Sequence, residues 1–98
     1  MKVMISQPMN GKTNEQIRSE REELVKRLTE EGYEVVDTVF DEAPKDGTDE
    51  PIFYLAKSVE FIGKVDMVVF MNGWNKARGC KIEHEVAVEY GKKVIYCN

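Results

Sequence analysis

Apolar residues cluster along this chain in four short runs that are bounded by glycine, proline or charged residues. The runs cover residues 2–6, 33–38, 66–71 and 93–96. Runs of this length with such boundaries predict buried β-strands. The run at 66–71 is the most apolar, and it therefore predicts a central parallel strand that is buried on both faces.

The segment between the first two runs has the apolar spacing of a helix. Thr13 and Gln16 form a capping box at its start, and Gly32 ends it. Arg21 is the only polar residue that interrupts its apolar face. The other residues of that face are Ile17, Leu24, Val25 and Leu28.

Two further helices are predicted, over residues 52–63 and 80–90. Residues 41–51 carry acids, prolines and a glycine without apolar periodicity, so they predict a mobile, solvated connector. Closure of this loop over a ligand is the alternative interpretation. The residues predicted to face the core are Ile52, Leu55, Ala56, Val59 and Ile62 in the second helix and Ile82, Val86 and Tyr90 in the third.

The order βαβαβαβ predicts one α/β domain over residues 1–98, with a doubly wound, flavodoxin-like open parallel sheet of about four strands. The expected strand order is 2-1-3-4, with helices on both faces. This order opens a crevice between strands 1 and 3 at their carboxyl ends. The loops at residues 7–12, 44–51 and 72–79 meet there or beside it, so we expect a small-ligand site in that crevice.

Composition and charge narrow the choice of partners. The 98 residues are 42% hydrophobic and carry a net charge of −4, with no basic stripe, which argues against extended nucleic acid as a partner. The chain has neither an apolar run long enough to span a membrane nor the apolar region of a signal peptide, so a cytoplasmic protein is expected. Cys80 and Cys97 are too few for a disulfide or metal framework and are expected to be small core residues.

Two motifs beside the predicted ligand loops resemble functional sites, but neither meets the requirements of the corresponding chemistry. Residues 6–13 resemble a phosphate-binding loop, but Ser6 replaces the first glycine and no acid follows an apolar strand to hold magnesium. A single phosphate on the backbone N–H groups near Thr13 stays an alternative. His84 and its two glutamate neighbours point in different directions on a helix, so we expect His84 to be solvated.

The segment before the last strand carries Gly79, Glu83, Ala87 and Gly91 at regular spacing, followed by a lysine. Together with the sequences MISQPM at 4–9 and WNKARG at 74–79, this spacing resembles the nucleoside 2-deoxyribosyltransferase-like family, in a short branch without an assigned function. Relatives in that family include deoxynucleoside monophosphate N-glycosidases. The resemblance implies cleavage of the N-glycosidic bond, or deoxyribosyl transfer, on a deoxynucleoside or its 5′-monophosphate. Glu83 would be the nucleophile that attacks C1′.

The resemblance also implies a set of substrate contacts. Ser6, Gln7 and Met9 would shape the sugar side of the site. Trp74 or Tyr54 would stack on the base, and Arg78 or Lys12 would hold a phosphate. Capping a corner of the core is an equally good interpretation of Trp74. No metal or organic cofactor is implied, and a homo-oligomer is expected. The full set is Ser6, Gln7, Met9, Lys12, Tyr54, Ser58, Trp74, Arg78 and Gly79.

Other functions stay open at this point. Ala77 and Ser58 stand where the family places acids that assist the reaction, so general-acid help to the leaving base is missing. A non-catalytic nucleotide-binding module on the same fold is therefore the alternative, and a domain without a ligand is the third. Without the resemblance, Glu83 would be an ordinary acid of the first turn, where the helix dipole favours the ionised form.

Overall fold

The computed structural model describes residues 1–38 and 42–97, and a four-stranded sheet runs through its centre. The spatial order is β2-β1-β3-β4 and each of the three pairings is parallel, so the predicted flavodoxin-like order is confirmed. The strands are β1 (Lys2–Ser6), β2 (Glu34–Val36), β3 (Met67–Phe70) and β4 (Lys93–Tyr96).

Three helices connect the strands: α1 (Asn14–Glu30), α2 (Glu50–Ile62) and α3 (Arg78–Glu89). The capping box of α1 is confirmed. The Gln16 backbone N–H donates to Thr13 Oγ1 at 3.1 Å, and the Thr13 N–H donates to Gln16 Oε1 at 2.8 Å. These two bonds satisfy two backbone donors that the start of a helix otherwise leaves without partners.

The sheet is covered on both faces, which explains why its strands are almost continuously apolar. Successive residues of a strand point to opposite faces, so β1 contributes to two separate cores. One core, on the α1 side, contains Val3, Ile5, Leu24, Leu28, Met67 and Val69. The other, on the side of α2 and α3, contains Met4, Ile62, Val65, Val68, Phe70 and Ala87.

The predicted core face of α3 is right at Val86, which packs against the core, and wrong at Ile82 and Tyr90. Ile82 and Tyr90 are 42% and 79% exposed, whereas Cys80, Glu83 and Ala87 are buried. The apolar pattern misled the prediction because the stripe that faces the sheet consists of small residues and one acid.

The core face of α2 is also shifted from the prediction. Ile52 is 62% exposed, while Ser58 is buried beside Ile62. The helix begins earlier than predicted because the Asp49 carboxylate accepts the Ile52 N–H at 3.1 Å and so caps α2 before Glu50.

The segment before α2 is exposed at residues 42 and 44–49, as predicted for a solvated loop, but it is anchored at Ala43. Ala43 is buried, and its N–H donates to the Tyr54 hydroxyl at 3.0 Å. Asp41, the first residue of the predicted loop, lies outside the described residues. No helix of the described chain is both long and apolar enough to cross a bilayer.

The two-sided core gives a direct stability test. Ile5→Ala removes a fully buried side chain from β1 and should lower the free energy of unfolding by about 2–5 kcal/mol. Ile52→Ala, at an exposed helix position, should change it by less than about 0.5 kcal/mol. Urea unfolding of both variants measures the difference, and equal losses would contradict the described packing.

Candidate functional site

The site is centred on Glu83, which is the sixth residue of α3 and lies in its second turn. The predicted first-turn position is wrong, because α3 begins at Arg78 and not at Cys80. Glu83 is only 8% exposed and faces the sheet. Gly79 lies one turn earlier beside the carboxyl group, since a Cβ at Gly79 would be 3.7 Å from Glu83 Oε2, within ordinary contact.

Burial controls the charge of Glu83. Loss of hydration raises the pKa of this carboxyl group to about 7, against the lowering effects of the Ser6 hydroxyl and the Arg21 charge. The effect of a helix dipole fades beyond the first turn, so it does not reach Glu83 as the sequence analysis expected. Glu83 therefore titrates near neutral pH, as functional carboxyl groups often do.

Arg21 brings a buried positive charge to the same region from α1. It is 4% exposed, and burial lowers its pKa, opposed chiefly by Asp37 and also by Glu83. Its Nε donates to Gln7 Oε1 at 2.8 Å and its Nη1 donates to Thr38 Oγ1 at 3.2 Å. Sequence reasoning did not assign Arg21 to the site, although its place as the only polar residue on an apolar face was the signal.

Gln7 fixes the end of β1 to α1. Its Nε2 donates to the Ile17 carbonyl and to Glu20 Oε1, both at 3.1 Å, while its Oε1 accepts from Arg21. Lys12 Nζ lies 3.0 Å from each Glu20 carboxylate oxygen. The Gln7 amide is therefore committed to protein partners, and the Lys12 charge is already paired.

Ser6 lies between two titratable groups of α3. Its hydroxyl lowers the pKa of both Glu83 and Cys80, although its oxygen completes no hydrogen bond of good geometry with the described residues. Burial raises the pKa of the Cys80 thiol to about 11. Cys80 is thus an unreactive core thiol, and Ser6 is a polar group with capacity for a ligand.

An aromatic cluster occupies the carboxyl ends of β3 and β4. The Trp74 ring stacks on His84 at 4.3 Å and on Tyr96 at 5.4 Å between centroids, and Phe70 lies beside it. His84 Nε2 is 2.5 Å from the Tyr96 hydroxyl. His84 is thus only partly solvated, because its ring stacks on Trp74. Trp74 packs against the core on the side of α2 and α3, and its stacking on a base stays a prediction.

The other predicted contacts are spread over three elements. Tyr54 anchors Ala43 through its hydroxyl, and Ser58 is buried in α2. Arg78 is exposed at the start of α3, and Met9 is half-buried after β1. The structure thus gathers Ser6 and Gly79 around Glu83, with Gln7 one step away through Arg21, while substrate contacts by the remaining residues stay predictions.

A separate groove of about 480 Å³ lies between α1 and β2. Its charged rim is largely balanced, since Arg18 Nη1 pairs with Asp37 at 3.0 Å. The groove does not include Glu83, although Arg21 borders it. Its lining residues are Arg18, Ser19, Arg21, Glu22, Val25, Val35, Val36 and Asp37.

Fold and site together define a small flavodoxin-like α/β protein with a buried carboxyl group near the carboxyl end of its central strand. The chain belongs to the family described as a domain of unknown function, DUF4406, whose model matches residues 1–96. No curated protein sequence matches the chain.

The fold of the chain is similar to that of a solved enzyme structure. It is the CMP N-glycosidase BcmB of Clostridium botulinum, with a TM-score of 0.62 and 23% sequence identity. The alignment covers 98% of this chain and 67% of that protein. This similarity confirms the architecture over nearly the whole length of the chain.

The raised pKa of Glu83 predicts a specific dependence of stability on pH. Between the ordinary value of 4.5 and about 7, the folded protein binds more protons than the unfolded chain, so stability falls as pH rises through this window. Glu83→Gln removes the titration. The variant should gain about 3 kcal/mol relative to wild type between pH 4 and pH 8.

Urea unfolding at several pH values measures this gain. Glu85→Gln, on the exposed side of the same helix, is the control and should run parallel to wild type across the window. A Glu83→Gln curve that also runs parallel to wild type would contradict the described burial.

Proposed function

We propose that the protein cleaves the N-glycosidic bond of a nucleoside 5′-monophosphate, with Glu83 as the nucleophile. The observation that carries the proposal is the buried Glu83 carboxyl, flanked by Ser6 and by Gly79. The similar fold of an enzyme named as a CMP N-glycosidase supports it. The sequence resemblance implies 2′-deoxyribose, whereas CMP contains ribose, so both sugars are candidates.

The chemistry follows the logic of a retaining glycosidase. Ionised Glu83 attacks C1′ as the bond from C1′ to the base nitrogen breaks. The base leaves with the electron pair of that bond and takes a proton from water. A second water then attacks C1′, releases the carboxylate and gives a pentose 5-phosphate, while attack by another base would give transfer instead.

The start of α3 is the better place for the 5′-phosphate. Ala77 provides no side-chain cap, so the first N–H groups of α3 are not occupied by a capping side chain. Arg78 is exposed beside them. A helix start with a guanidinium suits a phosphate, whereas the ammonium group of Lys12 is held by Glu20.

A nucleotide-binding module without turnover is the second candidate. The supporting observation is that Ala77 and Ser58 stand where assisting acids are expected, and no other acid among the described residues shifts the pKa of Glu83. A base that leaves without a general acid leaves slowly. The homo-oligomer implied by the resemblance stays a prediction for either function.

Base release tests the two candidates directly. Wild-type protein should release free base from one or more nucleoside monophosphates, and Glu83→Gln should lower the rate by at least about 10³-fold because the covalent step is lost. Glu85→Gln is the matched control and should keep the rate. Equal background rates for wild type and Glu83→Gln would exclude the glycosidase, and tight calorimetric binding without release would select the binding module.

The pH profile provides an independent check on the nucleophile. Since only ionised Glu83 attacks C1′, kcat/KM should rise tenfold per pH unit in acid and level off above about pH 7, near the pKa of this group. Steady-state rates from pH 4.5 to 9 measure the profile. A plateau that already begins near pH 5 would contradict Glu83 as the titrating nucleophile.

A further inference from the structure

Glu83 is not accessible to a substrate in the described conformation. It is only 8% exposed, and Ser6, whose hydroxyl acts on its carboxyl group, is 1% exposed. An attacking oxygen has to come within about 3–3.5 Å of the carbon that it attacks. A pentose therefore reaches Glu83 only after part of the surroundings has moved.

The carboxyl group of Glu83 points toward the carboxyl ends of the strands. Since α3 connects the parallel strands β3 and β4, it runs antiparallel to both and begins at the carboxyl end of β3. Helix side chains lean toward the start of their helix, and this carboxyl group lies beside Gly79, one turn earlier, and beside Ser6 at the end of β1. The segments that cover this end of the site are therefore those that follow β1 and β3.

These two segments are held with different strength. Residues 71–77, after β3, donate four backbone hydrogen bonds of 2.9–3.2 Å, and Trp74 among them packs into the aromatic cluster. Residues 8–12, after β1, make one backbone hydrogen bond with described residues, and it is internal, from the Lys12 N–H to the Met9 carbonyl at 3.1 Å. Segments with few such contacts open locally at a free energy below that of global unfolding.

The 8–12 segment lies between two firm anchors. Before it, the Gln7 side chain bonds to the Ile17 carbonyl of α1, and after it, Thr13 caps the same helix. Within it, Gly11 has a φ of 78°, a left-handed conformation that residues with a side chain rarely adopt. A five-residue segment between two fixed points can move as a unit while the sheet and the helix stay in place.

Two contacts hold this segment against the rest of the protein. Pro8 Cγ lies 3.6 Å from the position that a Cβ would take on Gly73, so the segment after β1 approaches the segment after β3 closely. Lys12 Nζ lies 3.0 Å from each carboxylate oxygen of Glu20, and both side chains are partly exposed. Ion pairs of this kind contribute little stability and weaken with salt. Both contacts can therefore break while the sheet stays folded.

We propose that residues 8–12 form a gate over Glu83, which is closed in the described structure and opens by local motion between Gln7 and Thr13. The purpose of this gate rests on the proposed function, since an open gate admits the pentose to the nucleophile. The motion itself requires no substrate. The two contacts that hold the gate closed then control access to the carboxyl group.

Covalent labelling of Glu83 tests the gate without any substrate. A water-soluble carbodiimide and an amine convert accessible carboxyl groups to amides, and peptide mass spectrometry compares Glu83 with Glu85, which is exposed on the same helix. In wild type Glu83 should react at least about tenfold more slowly than Glu85. Low urea concentrations should leave its rate unchanged, because a local opening exposes little surface.

Two variants and a salt series locate the opening. Lys12→Met should raise the labelling rate of Glu83 about two- to fivefold, because it removes the ion pair. Pro8→Gly removes the ring contact and frees the backbone, so it should raise the rate at least as much. Added NaCl should raise the rate relative to the exposed reference in wild type but not in Lys12→Met. Lys57→Met, which breaks a 3.8 Å pair with Glu60 on the surface of α2, is the matched control and should label like wild type.

Urea unfolding of each variant separates local opening from lost stability. A Glu83 rate that follows global unfolding, or that equals the rate of the exposed reference, would overturn the inference, and so would a rate that neither variant raises. Should Pro8→Gly fail to fold, Lys12→Met and the salt series report the same opening. A gate without base release removes the glycosidase alone, whereas base release with labelling that neither variant changes removes the gate alone.

Discussion

The pairing of β1 with β2 on one side and β3 on the other is the constraint on which the rest of the molecule depends. Because β1 is also covered on both faces, its residues from Val3 to Ser6 are buried. The carboxyl end of β1 is therefore the first position along the buried strand at which polar side chains lie together. Ser6 and Gln7 occupy that end, and alternation along the strand turns Ser6 toward α3 and Gln7 toward α1.

That geometry brings two opposite charges from opposite faces of the sheet close enough to influence each other. Arg21 comes from α1 and Glu83 from α3, yet no ion pair within 4.0 Å joins them in the described structure. A direct salt bridge would hold the carboxylate ionised. At a longer separation, Arg21 moderates the charge of Glu83 without blocking it, and burial keeps the pKa near neutral.

The sequence predicted the strands and the start of α1, because these depend on local patterns, and the alternation of strands and helices predicted the strand order. The capping box of Thr13 and Gln16 needs only residues three positions apart. The start of α3 was predicted two residues too late, because its start at Arg78 has no side-chain cap to mark it. The hydrogen bonds of Arg21 to Gln7 and Thr38 were not predicted for another reason. These partners are 14 and 17 positions away in the sequence, and only the folded sheet brings them next to Arg21.

Arg21 also shows that the polar groups of the site lower the stability of the fold. The apolar stripe of α1 runs through Ile17, Leu24 and Leu28, and a leucine or methionine at position 21 would continue it without interruption. Replacement of buried charges by well-packed apolar residues often stabilises proteins by about 1–4 kcal/mol. The stability margin of a chain of 98 residues is small. A buried guanidinium with an unpaired donor therefore lowers the free energy of unfolding by a large share of that margin. Departures of this kind from local consistency concentrate at functional sites, so the interruption of the α1 stripe at Arg21 points to the same region of the fold as the buried Glu83.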